Sequence, residues 1–223
     1  MNVSRVSINT VTAALCCAMT AGLILAAGPA LACKGPIIMF QDDFRQIDDS
    51  WNVDPHADAV TIEDGKVKVK ADPNAGYTVL YGGLIVDDAD LCVTVQVPRQ
   101  TENGAQAAAG PVFWAQDYDN YYTFTITPDG VAAIARLIKG RWHYLLIRDA
   151  DGIKTHPGDK NVLRVTTKGN SVSTYINDIK FATVKAQVPQ DGGQIGLYAQ
   201  SEQAHRDTWK FMDLKVTDLP LSV

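Results

Sequence analysis

Between Gly110 and Asp149 the chain reads GPVFWAQDYDNYYTFTITPDGVAAIARLIKGRWHYLLIRD. Four apolar, β-rich runs follow one another here, separated by Asp117-Tyr118-Asp119-Asn120, by Pro128-Asp129-Gly130 and by Lys139-Gly140. Runs this close, joined by turns this short, pair with their sequence neighbours, so the stretch predicts an antiparallel meander. Strand side chains alternate, which places Tyr122, Phe124 and Ile126 on one face and Tyr121, Thr123, Thr125 and Thr127 on the other.

The rest of the chain repeats the theme. Ile37–Phe44 reads as a first strand, and Ala59–Ile62 with Lys66–Lys70 as a hairpin around Glu63-Asp64-Gly65. In KVKVK the valines face one way and the lysines the other, the period of a half-buried strand. Further strands are expected at Tyr77–Leu84, Leu91–Val97, Val162–Thr167, Val172–Asn177, Ile179–Val184, Gly193–Gln200 and Thr208–Val216, with loops at Arg99–Ala109 and Asp149–Asn161. No stretch sustains helical periodicity. Short strands with turns every ~8–12 residues predict an all-β sandwich, here a single domain over residues 33–223.

The first 32 residues stand apart. Arg5 is their one charge, Val11–Leu31 is apolar and small, and Ala30-Leu31-Ala32 fits a cleavage site, so the chain is expected to carry a secretory signal peptide and to be exported, secreted or periplasmic. Gly22, Gly28 and Pro29 break the apolar run, and no basic stop-transfer patch follows, which disfavours a membrane anchor. Cys33 directly follows the cut. Lipid attachment there is the lesser alternative, because Ala30 stands where a lipoprotein leader has Leu. Loss of Arg5 takes the formal net charge from −5 to −6, which argues against nucleic acid as a partner. Cys33 and Cys92 remain, an even number that suits a disulfide in an oxidising compartment.

The order of motifs resembles a family. Asp-Asp-Phe near the start is followed by Trp51, GPVFWAQDYDNYY, ITPDG, KGRW, Tyr-Ile-Asn-Asp, GQIGLYA and a closing WKFMDLKV. Over roughly residues 37–218 this is similar to the concanavalin A-like jelly-roll domains of the 3-keto-disaccharide hydrolase type, kin to laminin-G-like and family-16-glucanase-like sandwiches. The resemblance implies a two-sheet antiparallel jelly roll whose concave face meets carbohydrate. Its members divide between enzymes and domains without shown activity. Many relatives carry Arg where this chain has Trp114, which withdraws that position's catalytic or anion-contacting role.

A retaining glucanase needs two carboxyl groups ~5 Å apart, supplied in the glucanase relatives by glutamates close together on one strand. This chain has only Glu63, Glu102 and Glu202, none near another. Asp117-x-Asp119-Asn120 and Asp149-x-Asp151-Gly152 space oxygens as calcium loops do, yet each also suits a plain turn, so calcium stays a weak candidate and no other cofactor is expected. His56, His143, His156 and His205 lack HExxH or similar spacing, which disfavours zinc. No Gly-x-Ser-x-Gly is present.

The aromatic residues lead further. Sugar C–H faces pack on flat rings while hydroxyls meet planar polar groups. With Phe113 and Tyr122 inward, alternation sends Trp114, Gln116 and Tyr121 outward, with Arg136, either Trp142 or His143, and Tyr198 nearby. The alternative for the tryptophans and tyrosines is that they fill the sandwich. The expected function is binding of a glycan or glycoside on the concave sheet without catalysis, Trp114 and Tyr121 stacking, and Gln116, Arg136 and His143 hydrogen-bonding. The rivals are hydrolysis of 3-keto-glycosides by an acid and a histidine, and a structural domain of an envelope assembly.

Overall fold

A computed structural model describes residues 33–46, 48–54, 57–99 and 106–221. The leader expected at 1–32, its cleavage near Ala32, His56, Glu102 and most of the 99–109 loop lie outside the described residues. The described chain is built of strands: β1 (Ile38–Asp42), a 3-10 turn (Asp49–Trp51), β2 (Val60–Glu63), β3 (Lys66–Val69), β4 (Gly76–Val86), β5 (Ala89–Gln96), β6 (Ala108–Asp117), β7 (Asn120–Ile126), β8 (Val131–Ile138), β9 (Arg141–Asp149), β10 (Lys160–Lys168), β11 (Ser171–Ile176), β12 (Ile179–Lys185), β13 (Gly193–Gln200) and β14 (Trp209–Thr217). Among the described residues no helix is long and apolar enough to cross a membrane.

Two antiparallel sheets form a jelly-roll sandwich. One runs β12-β11-β10-β5-β14-β3-β2, with β1 paired to β14, and the other runs β4-β13-β6-β7-β8-β9. The expected meander is β6 to β9, each strand paired with the next. Between the sheets lies a core that includes Trp51, Trp209, Phe124, Phe211, Ile134 and Leu197, each at most 1% exposed. Alternation holds along β7. Tyr122, Phe124 and Ile126 enter this core, while Tyr121 joins a separate cluster with Leu80, Val112, Ala115, Leu137 and Tyr198. That second cluster belongs to the outer face of the six-stranded sheet.

Cys33 and Cys92 are joined by a disulfide, with Cα atoms 5.6 Å apart. It ties the N-terminal arm to β5. Beside it, Asp90 is fully buried yet well served. It accepts from Arg164 Nε at 2.7 and 3.0 Å, from Thr166 Oγ1 at 2.8 Å and from the Lys34 N–H at 2.8 Å. The arm is thus held by one covalent bond and one buried charge network.

Candidate functional site

The outer face of the six-stranded sheet is curled. Tyr121 on β7 and Thr78 on β4 share a hydroxyl–hydroxyl hydrogen bond of 2.8 Å, although β6 and β13 lie between them. In a flat sheet three spacings of ~4.8 Å separate such strands, farther than the two side chains reach. The sheet must bend inward for them to meet, so this face is concave.

Cross-strand register assigns the rest of the face. Ala133, Ala135 and Leu137 on β8 stand opposite Ile147, Tyr144 and Trp142 on β9. Thr123 and Thr125 on β7 pair with the same alanines. The result is a groove of about 100 Å³ with a floor of Ala108, Thr123, Thr125, Ala133 and Ala135. Trp142, Tyr144 and Ile147 wall one side, Tyr198 and Gln200 the other, and Gln106 closes an end. None of the side chains lining it carries a charge. Small floor residues leave room above the sheet, and the rings supply flat apolar surface.

The aromatic wall is ordered by its own contacts. Trp142 meets Tyr121 and Tyr198 edge to face, with centroids 5.8 and 5.3 Å apart, a favoured arrangement for ring quadrupoles. Trp142 stays 38% and Tyr144 62% exposed. The Tyr198 hydroxyl donates to Gln200 Oε1 at 3.0 Å and so orients that amide. Gly76 makes this possible, since a Cβ there would stand 2.4 Å from the Tyr198 hydroxyl oxygen. Burial, with help from the Tyr121 and Tyr144 phenols, pushes the Tyr198 hydroxyl far above the ordinary phenol range. Burial raises Tyr121 as well. Both are neutral hydrogen-bonding groups at any physiological pH.

Of the six residues named from sequence, Tyr121 and Tyr198 lie on the concave face. Trp114 does not. It is 1% exposed, sits in the core against Phe113 and Tyr122, and donates from Nε1 to the Asp87 carbonyl at 2.7 Å. The cause is a bulge. Trp114 has φ of +52°, the β6–β7 register shifts between Phe113 and Asp117, and two successive side chains therefore point inward. Gly193 permits it, because a Cβ there would lie 2.4 Å from the Trp114 backbone.

Arg136 and His143 also leave the expected face. They pair with one another and share the face of Tyr122, the inner one. Arg136 donates to Gln187 Oε1 at 3.0 Å and stacks over the Tyr122 ring at 5.0 Å, while His143 is exposed on the edge strand. Gln116 is exposed, and with the buried Trp114 and Tyr121 and the half-buried Arg136 it lines a separate depression of about 230 Å³ beside Gln187–Gln190. Trp142 is the outward member of the Trp142/His143 pair that sequence left open.

The weak calcium candidates take other parts. Asp117 accepts from the Asp119 N–H and from Asn120 Nδ2, which is turn chemistry. Asp149 and Asp151 belong to no convergent group of three or more His, Cys, Asp or Glu side chains among the described residues.

Sequence reading missed a cluster in the loop after β13. Glu202, His205 and Asp207 each offer a ligand atom within 4.8 Å of the others. His205 Nδ1 lies 2.5 Å from Glu202 Oε1, and Nε2 lies 3.5 Å from Asp207 Oδ1. Both carboxylates are buried, and burial raises the Asp207 carboxyl above its ordinary range. The loop abuts the groove's end, where the Gln203 N–H donates to Gln106 Oε1 at 3.1 Å.

No protein-family model matches the sequence, and no curated protein matches it. The fold is nonetheless shared with solved structures. Carbohydrate-binding module CBM66 of Bacillus subtilis superposes with a TM-score of 0.54 over 68% of this chain and 86% of its own, at 16% identity. The Bacillus licheniformis β-glucanase does so with 0.57 over 80% and 97%, at 11% identity. The laminarinase catalytic domain of Thermotoga maritima gives 0.58 over 82% and 98%, at 6% identity. At identities this low the likeness shows the architecture alone, a two-sheet antiparallel jelly-roll sandwich.

Proposed function

We propose that this protein binds a neutral glycan or glycoside in the concave groove, without cleaving it. The observation that carries the reading is the exposed Trp142–Tyr144 wall above an uncharged floor of Ala and Thr. Ring faces there accept sugar C–H surfaces, and the Gln106, Gln200 and threonine groups accept hydroxyls. An uncharged lining favours a neutral ligand over a uronate or a sulfated chain, because it offers no cation to a buried anion. The same curled sheet carries the groove in an architecture shared with a carbohydrate-binding module. Export to an oxidising compartment suits the Cys33–Cys92 bond and is part of the proposal.

Calorimetric titration with a panel of neutral β-glucan, xylan, mannan and starch oligosaccharides tests it. At least one is expected to bind, and Trp142→Ala is expected to weaken that binding tenfold or more, about 1.4 kcal/mol. Failure of the whole panel, or equal binding by the variant, removes the proposal.

Hydrolysis of a 3-keto-glycoside is the second reading. The Glu202–His205 pair favours it as the acid–histidine combination that such chemistry uses. Its place outside the groove lining makes binding alone the better account. Turnover of a 3-keto-glucoside, lost in His205→Gln, decides for the enzyme.

A further inference from the structure

We propose that the loop after β13 holds a divalent cation of the zinc type, ligated by His205 Nε2 and Asp207 Oδ1, with Glu202 fixing the imidazole from behind. The Asp207 side chain is buried in this loop. Its Oδ2 accepts the Glu202 N–H at 2.7 Å, while its Oδ1 is buried with no hydrogen-bond donor among the described residues. A buried carboxylate oxygen that accepts no hydrogen bond is costly. The group facing it is His205 Nε2, and 3.5 Å is too long for the charge-assisted hydrogen bond of ~2.7–2.9 Å that an imidazolium would make.

The spacing instead fits an ion between them. Two ligands ~2.1 Å from one tetrahedral metal stand ~3.4 Å apart. Glu202 then has a defined task. Its Oε1, 2.5 Å from Nδ1, accepts the proton there and leaves the Nε2 lone pair directed at Asp207. A carboxylate behind a metal-bound histidine sets the tautomer and raises ligand basicity. Access is open on one side, because the His205 side chain is 31% exposed while those of Glu202 and Asp207 are closed. Two protein ligands leave positions for water or a ligand hydroxyl. Loop rigidity comes from elsewhere, with Ser201 Oγ accepting the Asp207 N–H and donating to the Ala71 carbonyl, both at 2.8 Å.

Equilibrium dialysis of the purified protein against Zn²⁺ and Co²⁺ tests the site, with His205→Gln, Asp207→Asn and Glu202→Gln alongside. The wild type is expected to hold one more equivalent of metal than His205→Gln and Asp207→Asn, and its Co²⁺ form to show visible absorption that both variants lack. Glu202→Gln is expected to bind 10–100-fold more weakly, the effect of losing such a support. Exposed His143 and His156 contribute a background that every variant keeps. His205→Gln keeps an amide N–H for the buried Glu202 carboxylate, and its thermal midpoint in chelator, measured beside the wild type's, separates loss of metal from loss of fold. Equal uptake by wild type and His205→Gln overturns the proposal, as does wild-type protein that takes up neither metal.

Discussion

The Tyr121 hydroxyl meets Thr78 Oγ1 at 2.8 Å across the concave face, joining β7 to β4 over two intervening strands. One hydrogen bond thus helps set the curl that makes a groove of an otherwise open sheet. Tyr121→Phe removes it while keeping the ring against Trp142. The expected cost is ~1 kcal/mol, or a fall of about 2–4 °C in the thermal midpoint for a chain of this size. Thr78→Val should cost a comparable amount, and the double variant should show less than the sum when measured by urea denaturation.

The bulge that turns Trp114 inward depends on Gly193. A methyl group there meets the Trp114 Cα and carbonyl carbon at 2.4 Å, and backbone atoms cannot swing aside as a side chain can. Gly193→Ala is therefore expected to destabilise by ~1–3 kcal/mol. Chemical denaturation measures this, and a variant as stable as the wild type would show that the bulge is not pinned there.

At the opposite face, Asp90→Ala strands Arg164 in a buried site. Losing one partner of a buried pair costs ~3–5 kcal/mol, more than the exposed Glu63–Lys68 pair can contribute. The prediction is a large loss for Asp90→Ala and almost none for Glu63→Ala, read from the same denaturation curves.

Acid should weaken the fold from a definite side. The Ser50 N–H, and then the Tyr81 hydroxyl, hold the Asp48 carboxyl below the ordinary aspartate value of 3.8. Arg206 does the same for Asp58. A carboxyl with a depressed folded pKa contributes stability that is present above its unfolded pKa and lost as pH falls through the folded one. Stability contributed by these groups should hold from neutrality to about pH 4 and decline below it. In Asp48→Asn the decline should be shallower, as followed by thermal melts across the acid range.

Much of this molecule can be read from its residues because alternation and turn chemistry are local. Period two alone puts Tyr121 and Tyr122 on opposite faces, and they join different clusters on the two sides of the sheet. Reading failed where a long-range contact overrode the period. GPVFWAQ is apolar at successive positions, and only the approach of Gly193 decides that Phe113 and Trp114 both point inward. VAAIARLI is apolar on both faces, so nothing local tells whether Ile134 and Arg136 or Ala133 and Ala135 face the core. The cluster at Glu202, His205 and Asp207 left a visible acid-x-x-His-x-acid signal. Polar residues in a loop read as solvated, and it is the packing against Ala71, Asn74 and Gln106 that buries them.

Trp142 gives the most direct test of the groove. The chain has four tryptophans, and Trp51, Trp114 and Trp209 are each at most 1% exposed while Trp142 is 38% exposed. Quenching of tryptophan fluorescence by acrylamide therefore reports on one wall of the proposed site. With a saturating neutral oligosaccharide, the account predicts that the quenchable fraction disappears, and that Trp142→Phe shows little quenching with or without sugar. Undiminished quenching of Trp142 in the presence of bound sugar would contradict it.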